Sequence, residues 1–281
     1  ISTDLQAEMI SLERIMEYIN LETEDPLKHE LVPYKDWPRE GSIKFVNFTL
    51  KYANSIKPVL KNINCEITPG TKVSLVGKTG AGKSTFTLAI FRLLNPMGGK
   101  IEIDGINIAK IGLYELRHKL SIVPQGSQTI IGSVRDKLDP CKQFNDDQLW
   151  KVLELVKLKN HVQRLGSLDV QFDESGNNFS LGQKNLLSLA RSLLVPSKIL
   201  VLDEATSSLD LNTVRIIRDV IKNEFQNSTI ITIAHRLDTI MDSDKVLLLE
   251  NGEVVEFDLP LILLKDANSK FFNFCAEGLI D

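Results

Sequence analysis

The densest chemistry in this sequence sits in eight consecutive residues, Gly77-Lys78-Thr79-Gly80-Ala81-Gly82-Lys83-Ser84. Glycines at 77, 80 and 82 let the chain turn tightly, so that successive backbone N–H groups can converge on an anion. A lysine and a hydroxyl residue directly after the last glycine complete the spacing of a phosphate-cradling loop. In that arrangement Lys83 brings a point charge to the β- and γ-phosphates of a nucleoside triphosphate, and the Ser84 hydroxyl can ligate Mg2+. An apolar run that reads as a strand, Lys72–Val76, precedes the loop, and a helix is predicted from Ser84 to about Leu94. The first amides and the positive dipole end of that helix would face the phosphates. An incidental glycine-rich turn is the competing reading, and the strand and helix on either side count against it.

A second group reads Ile199-Leu200-Val201-Leu202-Asp203-Glu204. Four apolar residues make a buried strand, and two acids stand at its carboxyl end, where open α/β sheets bind their ligands. Asp203 would hold Mg2+, directly or through water. Glu204 would orient and polarise an attacking water, as a carboxylate does in phosphoryl transfer. Taken alone, one of these acids could simply cap the helix that follows.

The elements that must position these groups are legible in outline. Met9, Leu12, Met16 and Ile19 recur at helical spacing, and an acidic, proline-containing stretch from Glu22 to Pro38 reads as a linker. Two readings stand for that helix: an amphipathic segment docked on the same domain, or the tail of a long helix arriving from a membrane domain. From Ile43 the period changes to two, and Val46, Phe48, Leu50 and Tyr52 are expected to share one face of a strand. A short strand follows at Ile63–Ile67. Lys100–Ile103 and Ile106–Ile108 form a hairpin around a tight Asp104-Gly105 turn. The middle is mostly helical, with Asn145 and Gln148 as a capping box ahead of Leu149, Val152, Leu153 and Val156. In the last third, strands at Lys198–Leu202, Thr229–Ile233 and Lys245–Leu249 alternate with helices at Asn212–Phe225 and Leu237–Met241. That alternation predicts an α/β fold with a parallel sheet.

Composition narrows the class. The 281 residues are 43% hydrophobic and 25% charged, ordinary for a globular chain. A net charge of −4 and a pI near 5.7 give no long-range attraction for nucleic acid, so no nucleic-acid partner is expected. Cys65, Cys141 and Cys275 are too scattered for a metal site and read as reduced thiols of a cytosolic compartment. No apolar run reaches the roughly 18 residues that span a bilayer. The chain does not begin with Met and reads as a piece of something longer, held at any membrane by another segment.

The residues that narrow the field further are Phe179-Ser180-Leu181-Gly182-Gln183-Lys184. Ser180 and Gln183 read as a capping box for a helix running to Leu194, and a small residue and a glycine at a helix start leave amides suited to an anion. Placed shortly before the Asp203-Glu204 strand, this stretch resembles the signature motif of ABC ATPases. Tyr52 is similar in place to that family's adenine-stacking aromatic. Gln125, after the strand Leu120–Val123, resembles its Q-loop glutamine, Ser208-Leu209-Asp210 its D-loop and His235 its switch histidine. The resemblance runs from about residue 39 to the end. It looks closest to the second nucleotide-binding domain of the C subfamily, the multidrug-resistance-associated export pumps. Gly105–Leu113, Glu174-Ser175-Gly176 and Ala234-His235-Arg236-Leu237 carry that similarity. Trp37-Pro38 resembles the link from the last transmembrane helix.

The resemblance implies a P-loop NTPase (RecA-like) α/β core with an antiparallel β subdomain and an inserted helical subdomain at about residues 126–196. It implies ATP and Mg2+ as ligands. One ATP is then served by Tyr52, Gly77, Thr79, Gly80, Ala81, Gly82, Lys83, Ser84, Thr85, Gln125, Asp203 and Asp210. Ser84, Gln125 and Asp203 are its metal ligands, and Glu204, His235, Gln125 and Lys83 its catalytic set. Ser180, Gly182 and Gln183 serve a second ATP in trans, on a second nucleotide-binding domain, while transmembrane domains of the same polypeptide do the transport. Such a chain works on the cytoplasmic face of a plasma or vacuolar membrane. A regulatory ATP-binding domain of a C-subfamily channel is the alternative. Two departures stand out: Leu181 replaces the first glycine of the usual Ser-Gly-Gly-Gln signature, and Ile130 lies where relatives commonly place an aromatic.

Overall fold

A computed structural model of the chain describes residues 2–21, 24, 33–53, 55–124, 132–172, 178–195, 197–203 and 209–277, with side chains from residue 8. The described strands are β1 (Ile43–Leu50), β2 (Leu60–Ile67), β3 (Lys72–Val76), β4 (Pro96–Ile103), β5 (Ile106–Asn107), β6 (Leu120–Val123), β7 (Ile199–Asp203), β8 (Thr229–Ile233), β9 (Lys245–Glu250) and β10 (Glu253–Asp258). They form an antiparallel sheet in the order β2-β1-β4-β5 and a larger sheet in the order β10-β9-β3-β8-β7-β6. The larger sheet is parallel except for its edge strand β10.

The helices are α1 (Ser2–Ile19), α2 (Lys83–Ile90), α3 (Leu113–Arg117), α4 (Val134–Leu138), α5 (Asp146–Leu155), α6 (Lys159–Leu165), α7 (Leu181–Leu194), α8 (Leu211–Glu224), α9 (Leu237–Met241), α10 (Pro260–Lys265) and α11 (Lys270–Ala276). Helices α4 to α7 form the expected helical subdomain. Within it both capping boxes form: Asn145 with Gln148 starts α5, and Ser180 with Gln183 starts α7.

The central strands are buried on both faces, which is why β7 and β9 read as unbroken apolar runs and β3 and β8 are interrupted only by the small hydroxyls of Ser74 and Thr232. In β7, Ile199 and Val201 point into a core shared with the antiparallel sheet and α2. Leu200 and Leu202 point into a second core under α5, α7 and α8. In β9, Leu247 and Leu249 join the first core, while Val246 and Leu248 face a third beneath α10 and α11. The ring of Phe86, on α2, stacks on Phe45 of β1 with centroids 4.4 Å apart. That contact fixes the helix after the glycine-rich loop against the antiparallel sheet; truncating such an aromatic costs about 3–5 kcal/mol.

Two local expectations are corrected. Phe48 and Leu50 lie on the buried face of β1 as expected, but they share it with Ile43 and Phe45, not with Val46 and Tyr52. Asn47, at φ 47°, inserts a bulge that shifts the register between Phe45 and Phe48 and so changes which residues face inward. Helix α2 stops at Ile90 instead of Leu94, because Arg92 turns to φ 48° and buries its guanidinium on the carbonyls of Ile108 and Ile111. On helix α1 the stripe Met9, Leu12, Met16 and Ile19 is at least half exposed at each position.

The linker region ends in a tightly held segment. Trp37 is buried and donates its indole N–H to the Ile103 carbonyl. In the β4–β5 turn, Asp104 and Gly105 both take positive φ, as a two-residue hairpin demands. The Asp104 carboxylate then accepts the amides of Arg39, Glu40, Gly41 and Ser42 at 2.7–3.0 Å. Burial pushes this carboxyl up, but the four amides outweigh burial and hold it below the ordinary range. A depressed folded pKa contributes stability above the unfolded value of about 3.9 and loses it as the pH falls through the folded value. Asp104→Asn is therefore expected to cost about 2 kcal/mol at pH 7, with the deficit closing below about pH 3.9. Urea unfolding of both forms at neutral and acid pH measures this; a deficit independent of pH would remove the carboxylate's charge as the cause.

Candidate functional site

The parallel sheet aligns the expected site residues along one edge. Leu75 of β3 sits opposite Ile233 of β8, Ile233 opposite Asp203 of β7, and Leu202 opposite Val123 of β6. The glycine-rich loop leaves the end of β3, His235 follows the end of β8, and Asp203 is the last residue of β7. Residues some 150 positions apart in sequence thus converge on the carboxyl edge, the usual ligand side of such sheets. Gln125, Glu204 and Ser208, with Ile130 and Glu174–Gly176, lie outside the described residues.

The loop is shaped by backbone constraints. Gly77 has φ 152°, and a Cβ there would lie 2.3 Å from the Leu249 carbonyl oxygen of β9. Gly80 and Gly82 also take positive φ. Gly82 is the N-cap of α2 and offers no side chain, so no side-chain oxygen occupies the helix start. The first intrahelical bond runs from Phe86 N–H to the Gly82 carbonyl. The amides of Lys83, Ser84 and Thr85 precede it and are the ones that an α-helix leaves for an external acceptor. Lys83 is buried, and its ammonium donates to the Gly77 carbonyl at 2.6 Å and the Lys78 carbonyl at 3.3 Å. The cation is therefore held inside the loop it must serve. Ser84 is exposed beside it.

This arrangement fits a triphosphate: a helix start with no side-chain cap, a cation, a Gly77 with no room for a Cβ and further glycines at positive φ. It also fits Mg2+. Among the described residues no group of three or more His, Cys, Asp or Glu could cage a metal by itself. Ser84 and Asp203 offer two hard oxygens, and Mg2+ ordinarily completes its shell with phosphate and water.

Tyr52 stands past the end of β1, about one-third exposed, and its hydroxyl pairs with the Thr85 hydroxyl at 3.0 Å. The aromatic is thereby tied to the first turn of α2. Ser180, Gly182 and Gln183 open α7, which packs with α4, α5 and α8. Gly182 is buried against α8: a Cβ there would lie 2.9 Å from the Thr213 hydroxyl. Thr213 in turn caps α8 with Asp210, its amide and hydroxyl donating to that carboxylate at 3.0 and 2.6 Å. These bonds hold the Asp210 carboxyl below its ordinary range. Leu181, the signature departure, is 40% exposed at the helix tip.

Comparison with known proteins decides the family. The ABC transporter family model matches residues 60–207, more than half of the chain. The chain belongs to the ABC transporter family. Among curated proteins, metal resistance protein YCF1 of Saccharomyces cerevisiae is 50% identical over all of this chain and 19% of its own length. Bile pigment transporter 1 of the same yeast is 46% identical over 98% of the chain and 19% of that protein. Human ATP-binding cassette sub-family C member 2 is 45% identical over 99% and 18%. A bacterial Atm1-family ABC exporter solved with ATP bound superposes with a TM-score of 0.87 at 28% identity, covering 98% of this chain and 48% of that one. The chain is an ATP-binding, ATP-hydrolysing ABC domain related to C-subfamily transporters, and it spans about a fifth of the curated relatives' length.

Two supports of this ABC site escape motif reading. The turn Asn251-Gly252 between β9 and β10 donates its Gly252 amide to the Ala81 carbonyl and accepts the Lys61 amide, bracing the loop from outside. Its signal was an Asn-Gly pair between apolar runs, a hairpin mark. Thr213 had no local signal, since its role comes from the approach of Gly182. The closest constraint in the loop gives a test. Gly77→Ala is expected to weaken ATP binding at least tenfold, about 1.4 kcal/mol or more, in titration with a fluorescent ATP analogue. Unchanged affinity would show that the loop can yield at Leu249.

Proposed function

We propose that the chain is the second nucleotide-binding domain of a C-subfamily exporter that moves organic anions or conjugates across a plasma or vacuolar membrane. The observation that supports it most is the alignment of the β3, β8 and β7 ends, which brings Lys83, the segment of His235 and Asp203 to one edge. Glu204 follows Asp203 directly and Gln125 follows β6, so both are tethered to the same edge.

The residues divide the work by their chemistry. Backbone amides from Gly80 to Thr85 and the Lys83 ammonium bind the phosphates of ATP and neutralise charge that grows in the transition state. Tyr52 carries the adenine. Ser84, Asp203 and Gln125 would hold Mg2+, which would supply neutralisation of the phosphate charge. Glu204 accepts a proton from the attacking water, and His235 contacts the γ-phosphate. Ser180, Gly182 and Gln183 face an ATP held by the first nucleotide-binding domain. ATP joins the two domains and hydrolysis releases them, a ligand-driven switch that the transmembrane domains convert into transport.

Glu204→Gln in the intact protein is expected to keep ATP affinity within about twofold while turnover falls by about 100-fold or more, the usual contribution of a general base. Turnover at the wild-type rate would move the chemistry to the partner domain and leave this one regulatory. ATP-dependent uptake of a glutathione conjugate into inside-out vesicles separates a pump from a channel regulator.

A further inference from the structure

Helix α8 and the short helix α9 are joined by charge. Arg218, about two turns into α8, reaches Asp238 of α9 at 2.6 Å and Asp242 at 3.5 Å. Its guanidinium also donates to the Thr239 hydroxyl at 3.4 Å. Arg236 closes the cluster on the other oxygen of Asp238 at 3.3 Å. Burial raises the Asp238 carboxyl, but Arg218 and then Arg236 hold it below its ordinary range. The apolar faces of the two helices lie in different cores: Ile217 and Val220 of α8 in the second, Ile240 of α9 in the third. Hydrophobic packing therefore does not set one helix against the other, and the charged cluster links them directly.

The placement of that link matters because of what each helix carries. Helix α8 begins at Asp210, whose carboxylate is fixed by Thr213 beneath Gly182 of α7. Helix α9 begins directly after His235 and Arg236. We infer that Arg218 and Asp238 form a clasp that sets the His235–Arg236 segment relative to the Asp210 end of α8, making both positioning residues for ATP hydrolysis. The clasp rests on the reading of His235 as the residue that meets the γ-phosphate. A helix is stiff over two turns, so a shift at Asp210 is carried to Arg218 and through Asp238 to the backbone three residues beyond His235. The device couples the part of the domain packed on the signature helix to its own hydrolytic edge.

The test uses the intact protein with Arg218→Gln, Asp238→Asn, the double variant, Arg218→Lys and His235→Ala. Steady-state ATPase kinetics, nucleotide binding and thermal melting are read for each. Each neutralising single change is expected to lower kcat about fivefold with KM and melting temperature nearly unchanged, and the double to lower it no further, because the pair acts as a unit. Arg218→Lys keeps the charge and should recover about half of the loss. Additive losses, or a fall in kcat that tracks a fall in melting temperature, would reduce the pair to ordinary surface stabilisation and overturn the inference. If His235→Ala abolishes turnover while Arg218→Gln turns over normally, the clasp alone is wrong. If His235→Ala is itself silent, the reading of the site falls and the clasp with it.

Discussion

Burial of the central strands on both faces is the constraint on which the rest of the molecule depends. A strand that feeds two cores has no room for a charged side chain in its interior and takes at most small hydroxyls such as Ser74 of β3 and Thr232 of β8, so charged chemistry is displaced to its end. β7 shows this directly, with four fully apolar positions followed at once by Asp203. β3 and β8 end in the same way, one in the glycine-rich loop and the other in the His235 segment. Because the parallel ladder holds these strands in register, residues far apart in sequence meet at one edge without any contact between their side chains being needed to bring them there.

The loop itself is held by backbone more than by side chains. Gly77 lies against the Leu249 carbonyl, Gly252 bonds to Ala81, and Lys83 bonds back to Gly77. Two of these three contacts come from β9 and its turn, elements that carry no chemistry. Lys83 is buried on loop carbonyls, so its charge is partly spent before any anion arrives. An incoming phosphate would have to win the ammonium from carbonyl oxygens, and full charge against partial charge favours that exchange. The side chain is already buried in the loop on folding, so only that exchange of partners is left for binding.

Most of the fold was legible in the sequence because its signals were local. The strand Lys72–Val76, the hairpin at Asp104-Gly105 and the two capping boxes each depend on residues within a few positions of one another, and each appears where it was read. The misreadings of β1 and α2 have non-local causes. Asn47 bulges β1 because it is clamped between two partners: its amide donates to the Asn64 side chain, and its carbonyl crowds Gly99. Arg92 ends α2 because carbonyls of a segment some sixteen residues later accept its guanidinium. The site shows the same division. The loop and the acidic strand end announced themselves by spacing, whereas Thr213 and Gly252 matter only through what the fold brings beside them.

Gly182 sharpens the point about what a motif residue is for. Its place in the signature suggests a bare amide for a phosphate, yet the described contact is with Thr213, whose hydroxyl a side chain at 182 would strike. The capping box has already engaged the Ser180 and Gln183 amides, so the next amides in line for an anion are those of Leu181 and Gly182. Leu181 supplies the same N–H as a glycine would, and its side chain projects from the helix tip, away from the packed face. Packing therefore leaves room for a side chain at 181, whereas at 182 a Cβ would strike Thr213. The strict requirement for smallness belongs to the meeting of α7 and α8, through which Asp210 is held in place.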